Sequence, residues 1–94
     1  MGYIFEWDPV KAASNARKHG VPFEEACTVF GDPLALLMRD PDHSDEEERY
    51  LLLGRSVRQR LLVVAFAERG PRTRLISARK ATPGERKRYE EEET

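Results

Sequence analysis

The spacing of apolar and polar positions along this chain changes period partway. Near the start, Tyr3-Ile4-Phe5-Glu6-Trp7 is an aromatic and β-branched run that predicts a first strand. Asp8-Pro9 ends that run and opens a helix, because Asp caps helix N-termini and Pro suits the first helical position. The helix carries Lys11, Asn15 and Lys18, and Gly20 supplies a left-handed stop. In the next segment Phe23, Ala26, Cys27 and Phe30 recur at i, i+3, i+4 and i+7, which predicts a second helix with one buried stripe. Cys27 on that stripe reads as a small core residue. Gly31-Asp32-Pro33 closes the segment.

Beyond that point the pattern is extended. Leu34 to Met38 is an apolar run of strand length, and Asp40 to Glu48 is an acidic stretch without an apolar residue that reads as an exposed loop, His43 with it. Three strand-like runs follow, Arg49 to Gly54, Leu61 to Glu68 and Arg72 to Arg79. Their short links, Gly54-Arg55-Ser56 and Arg69-Gly70-Pro71, demand antiparallel neighbours and so a meander. Thr82-Pro83-Gly84-Glu85 is a capping box that starts a C-terminal helix through Arg86, Lys87, Arg88 and Tyr89, expected to fray into the glutamates of residues 90–94. The order β-α-α-β-β-β-β-α predicts a single α+β domain over 1–94, an antiparallel sheet bracketed by two N-terminal helices and one C-terminal helix.

Composition narrows the classes. No window approaches the ~18 apolar residues that cross a membrane, and the opening residues have neither a basic leader nor an apolar h-region, so neither a membrane partner nor a signal peptide is expected. One cysteine and two histidines exclude an internal disulfide and any recognisable zinc site, so no metal or other cofactor is expected and a reducing, cytoplasmic setting is the default. The net charge of -1 hides an asymmetry. Residues 1–48 hold four Lys or Arg against eleven Asp or Glu, whereas Arg49 to Arg88 holds twelve basic residues against Glu68 and Glu85. Ten of those twelve are Arg, whose planar fork of donors matches phosphate and stacks on bases. A basic half on an otherwise acidic protein points to a local polyanion site.

The motifs carry a family likeness. Phe5-Glu6-Trp7-Asp8-Pro9-Val10-Lys11, Asn15 and Arg17-Lys18-His19-Gly20-Val21-Pro22-Phe23-Glu24-Glu25-Ala26 resemble the N-terminal signature of BrnT proteins. Asp32-Pro33-Leu34-Ala35-Leu36, the acidic loop and Glu48-Arg49-Tyr50 resemble its middle section. Leu61 to Val64, Glu68-Arg69-Gly70, Arg74 to Thr82, Glu85 and Tyr89 resemble its C-terminal half. The chain departs from the pattern at Ala65-Phe66-Ala67, where relatives often place a hydroxyl side chain. The resemblance implies a RelE-like fold and a metal-independent ribonuclease toxin of a type II toxin–antitoxin pair. It also implies a BrnA-type ribbon-helix-helix antitoxin, through which alone the pair would meet operator DNA.

Cutting RNA without a metal needs a base for the 2′-hydroxyl, an acid for the leaving 5′-oxygen and fixed positive charge on the phosphate. The chain offers His19 or Glu68 as base, Lys18 or Tyr89 as acid, and Arg69 and Arg79 as phosphate clamps, with Arg49, Arg74 and Lys80 as further RNA contacts. His19 has the alternative of closing the first helix, Glu68 and Arg69 of a surface ion pair, and Tyr89 of core packing. Strict alternation sets Arg79 and Arg74 on opposite faces of their strand, so both serve one cleft only if a bulge or sharp twist intervenes; the likeness favours Arg79. The rival reading is a non-catalytic nucleic-acid-binding module that grips phosphates with an Arg-rich sheet.

Overall fold

The computed structural model describes residues 2–40 and 48–93; His43 and most of the acidic loop lie outside the described residues. The elements are β1 (Ile4–Glu6), α1 (Pro9–His19), α2 (Phe23–Thr28), a 3₁₀ turn at Val29–Gly31, β2 (Leu36–Arg39), β3 (Arg49–Arg55), β4 (Leu61–Arg69), β5 (Arg72–Lys80) and α3 (Pro83–Glu93). This is the expected α+β order. Asp8 caps α1 by accepting from the Val10 amide at 2.8 Å, and Gly20 ends it at φ 69. The apolar run after Pro33 enters its strand two residues late, because Asp32 Oδ1 takes the Leu34 amide into a turn. Val29 joins the core beside the Phe23 stripe because the 3₁₀ turn tightens the helix there. α3 runs on through Glu93. Among the described residues no helix is long and apolar enough to cross a membrane.

The five strands lie in the order β1-β5-β4-β3-β2. β2 to β5 form the expected antiparallel meander, and β1 joins its edge parallel to β5, Ile4–Glu6 opposite Arg72–Arg74, so the sheet is mixed. Beyond that three-residue pairing the edge of β5 is completed by a side chain. Asn15 Nδ2 donates to the carbonyls of Ala78 (2.9 Å) and Val21 (3.0 Å), and its Oδ1 accepts from the Ala78 amide at 3.1 Å. Buried Asn15 thus supplies the missing ladder and pins α1 to the sheet.

The sheet has two covered faces. Val21, Phe23, Ala26 and Val29 pack on Leu52, Leu62, Val64, Phe66, Leu75 and Ala78 on the helix face. Leu53, Leu61 and Val63 pack under Tyr89 of α3 on the opposite face. Glu25, buried in α2, ties the two ends of the β3–β4 turn: it accepts from Ser56 Oγ at 2.7 Å and from Arg60 Nε at 2.9 Å. The Arg60 bonds outweigh burial and hold the Glu25 carboxyl below the usual carboxylate range.

Strict alternation fails in β5. Ala65 pairs with Ser77 but Phe66 pairs with Leu75, so Ile76 is the extra residue of a β-bulge. Leu75 and Ala78 therefore both enter the helix-face core. Arg74, opposite Ala67, and Arg79, opposite Val63, both fall on the α3 side.

Candidate nucleic-acid interface and active site

The bulge gathers arginines on the α3 side of the sheet. Ala67 is flanked by Arg49 on β3 and Arg74 on β5, and Arg69 pairs with Arg72 where β4 turns into β5. With Arg79 this puts five arginines on one face of the sheet, which also carries the small buried side chains Ala65 and Ala67. Glu6 on β1 sits between two of the arginines, 3.3 Å from Arg72 and 3.5 Å from Arg74. Long, partly exposed pairs of this kind exchange readily for a phosphate.

Arg79 is held more firmly. Its two terminal nitrogens meet Glu85 of α3 at 2.8 and 2.9 Å, a bidentate fork. The same Glu85 accepts from the Thr82 amide at 2.8 Å, and Thr82 Oγ1 accepts from the Glu85 amide at 3.2 Å, so the expected capping box and the ion pair share one carboxylate. The Arg79 guanidinium is the main reason that the Glu85 carboxyl falls to about 2. The fork in turn raises Arg79, which stays charged.

Tyr89 is buried, and its hydroxyl donates to Asp32 Oδ2 at 2.6 Å while the Arg55 guanidinium lies 5.4 Å from its ring centre. Asp32 also accepts from the Arg55 amide at 2.8 Å and from the Leu34 amide. Burial opposes the charged form of Asp32, but these donors together hold its carboxyl below the ordinary value. Tyr89 therefore latches α3 to the loop that follows the 3₁₀ turn.

Lys18 and His19 close α1 at the outer edge of β5. They share a shallow hollow of about 230 Å³ with Lys11, Ser14, Ile76 and Ser77, so the bulge forms its floor. Ser77 belongs both to this hollow and, by register, to the arginine face. Glu68 and Arg69, neighbours in sequence, turn to opposite faces. Arg69 joins the arginines, while exposed Glu68 lines a cleft on the helix face and accepts from Thr73 Oγ1 at 3.2 Å. Lys80 is exposed at the end of β5, opposite Leu62.

The sequence-predicted residues thus fall into an arginine face with Arg49, Arg69, Arg74 and Arg79, an edge hollow with Lys18 and His19, a latch at Tyr89, and Glu68 on the far face. Arg72 belongs to the arginine face and was missed; its alternation with Arg74 is the signal that finds it. Asp32, Glu25 and Arg60 were missed as well, since their partners lie 23 to 57 positions away in the chain. Among the described residues no three His, Cys, Asp or Glu side chains cluster so as to hold a metal.

Comparison with known proteins agrees with this architecture. A crystal structure of the Brucella abortus ribonuclease toxin BrnT superposes with a TM-score of 0.64 at 23% sequence identity, covering 86% of this chain and 99% of that one. No curated protein sequence matches the chain. The model of the family described as "Ribonuclease toxin, BrnT, of type II toxin-antitoxin system" matches residues 7–85. The match takes in every strand of the meander and the whole of both N-terminal helices, and so the chain belongs to the BrnT family of ribonuclease toxins.

Proposed function

We propose that this chain is the toxin of its pair and cleaves RNA without a metal, at the junction of the arginine face and the β5 edge. The observation that carries the reading is the bulge at Ile76. It turns Arg74 and Arg79 to one face and at the same point floors the hollow that holds His19 and Lys18.

In this reading Arg49, Arg69, Arg72 and Arg74 hold the RNA backbone, and Arg79 faces the scissile phosphate with Glu85 as its partner between substrates. His19 takes the proton of the 2′-hydroxyl, whose oxygen attacks the adjacent phosphorus. The bond from phosphorus to the 5′-oxygen breaks as Lys18 supplies that oxygen with a proton. The products are a 2′,3′-cyclic phosphate and a 5′-hydroxyl end. A neutral imidazole is the side chain best suited to the base role near neutrality. The concentrated guanidiniums stabilise the extra charge on the phosphorane-like transition state. Glu68 stands on the other face of the sheet, and the Tyr89 hydroxyl is already committed to Asp32, so neither is assigned a proton-transfer step. Lys80 is left as a peripheral backbone contact. Growth arrest follows from loss of RNA in the bacterial cytoplasm, and a BrnA-type ribbon-helix-helix antitoxin neutralises the toxin and alone touches operator DNA.

The test is cleavage of a defined single-stranded RNA by purified protein in excess EDTA, with His19→Ala and Arg74→Ala alongside. Cyclic-phosphate ends from wild type, a drop of roughly 10²-fold or more for His19→Ala, and a weaker KM with a shallower salt slope for Arg74→Ala are expected. Cleavage that stops in EDTA refutes the metal-free mechanism. Salt-sensitive RNA binding without any product leaves the non-catalytic binding module instead.

A further inference from the structure

A second surface lies across the sheet from the arginines. Between the 3₁₀ turn, β2 and the adjoining ends of β3 and β4 opens a cleft of about 500 Å³, walled by Tyr3, Phe30, Leu37, Tyr50 and Phe66. The aromatic wall is continuous: Tyr3 meets Phe30 at 5.0 Å between ring centres, Phe30 meets Phe66 at 5.0 Å, and Phe66 meets Tyr50 at 5.6 Å. Phe30 and Phe66 are packed into the core and fix the floor, whereas Tyr3 is 56% exposed and Leu37, on the edge strand β2, is 62% exposed. Rigid floor and open apolar rim are the features of a surface that receives side chains from elsewhere.

Charge decides which kind of partner. Asp32 and Glu68 line the cleft, and both are hydrogen-bonded by neutral groups: Asp32 by two backbone amides and the Tyr89 hydroxyl, Glu68 by the Thr73 hydroxyl. At the end of β3, Glu48 receives the Tyr50 hydroxyl at 2.7 Å and pairs with Arg39 at 2.9 Å. An RNA strand brings one negative charge per nucleotide and is repelled here, while it is attracted to the other face. A polypeptide with apolar anchors and cationic flanks fits both the aromatic wall and the carboxylates.

We infer that this cleft docks the antitoxin, through an amphipathic segment whose apolar side chains enter between Tyr3, Leu37 and Phe66 and whose Lys or Arg residues face Asp32 and Glu68. The inference rests on the toxin reading above and adds the surface. Because the cleft and the arginine face are separated by the sheet, neutralisation and RNA contact are separable by mutation.

The experiment uses the full-length toxin and, as probe, the product of the neighbouring reading frame that neutralises wild type in cells. Binding is measured by fluorescence anisotropy for wild type, Leu37→Asp, Tyr3→Asp and Arg74→Ala, and RNA cleavage is read for each. Both exposed positions tolerate a charge in the folded toxin, which circular dichroism checks. Leu37→Asp and Tyr3→Asp are expected to weaken the Kd by about tenfold or more each, as loss of an anchor does, to escape neutralisation in cells, and to cleave RNA as wild type does. Wild-type affinity should fall with added salt, and Arg74→Ala should cleave RNA with a weaker KM yet keep the antitoxin. Unchanged affinity in both cleft variants overturns the inference. Loss of cleavage in Leu37→Asp also overturns it, because the cleft would then serve RNA. Inactive wild-type protein would instead count against the toxin reading itself.

Discussion

Replacing Glu85 by Gln isolates the bidentate ion pair with Arg79 on the arginine face. Gln keeps an oxygen for the Thr82 amide, so the capping box survives, and only the charge facing Arg79 is removed. In the folded protein the Glu85 carboxyl lies at about 2 against an ordinary 4.5, which converts to an upper limit of about 3 kcal/mol. Glu85 is 25% exposed and Arg79 38% exposed, so solvent screens the pair and about 1–2 kcal/mol is the realistic contribution. For a domain of this size that is a Tm drop of roughly 5–15 °C at neutral pH.

The pH dependence is sharper than the magnitude. The folded-state value is depressed, so the contribution is complete above the unfolded value of 4.5 and is lost as pH falls toward about 2. Glu25 and Asp32 also have lowered values and weaken the wild type in the same acid range. The difference between wild type and Glu85→Gln removes them from the comparison. Urea unfolding of both proteins between pH 7 and pH 3 should show a gap that is constant from pH 7 to about 5 and narrows below. A gap that does not change with pH, or no gap at pH 7, refutes the assignment of Glu85 as the charged partner of Arg79.

Asn15→Ala removes three buried hydrogen bonds and leaves the β5 edge at Ala78 without partners, so a loss of about 2–4 kcal/mol is expected in chemical denaturation, with early amide exchange at Ala78. Gly54→Ala places a methyl 2.9 Å from the Ala35 Cβ and 3.0 Å from Val29 Cγ1, where β3 passes beneath the 3₁₀ turn; about 1–3 kcal/mol of destabilisation should appear as a lower urea midpoint. Cys27 is packed on the core, and burial, with Glu24 nearby, pushes its thiol up to about 11. A thiol reagent at pH 8 should therefore label the native protein slowly and the urea-unfolded protein at the rate of a free cysteine.

Elements governed by neighbours in sequence were legible. The Asp8 cap, the Gly20 stop, the Thr82–Glu85 box and the three meander strands all rest on interactions within a few residues, and each stands within a residue or two of its expected bounds. What the sequence concealed depends on partners far along the chain. Nothing local to β1 says that it pairs parallel to β5, since that register is set by residues 72–74. Asn15 reads as an ordinary polar position of an amphipathic helix until its contacts with Ala78 appear, although an interior Asn has poor helix propensity and asks for a reason.

The Ile76 bulge is the most consequential of these concealed features. Alternation sorts Leu75, Ser77 and Arg79 to one face of β5 and Arg74, Ile76 and Ala78 to the other, and that forces a choice between two arginines. One inserted residue removes the choice: Leu75 and Ala78 both enter the core, and Arg74 and Arg79 both leave it. The apolar pattern contained a sign of this, because Leu75 and Ala78 are three apart, a spacing that a regular strand cannot bury on one face. Burial of both is worth more than one unpaired ladder position, since a Leu side chain alone contributes about 1.5–3 kcal/mol against about 1 kcal/mol for a net hydrogen bond. The same core packing that bends the strand therefore assembles the basic face. Deleting Ile76 leaves Leu75 opposite Phe66 and Ser77 opposite Ala65 in a regular ladder, so Arg74 and Arg79 should stay on one face and RNA affinity should hold. The hollow beside His19 and Lys18 loses part of its floor, and cleavage should fall.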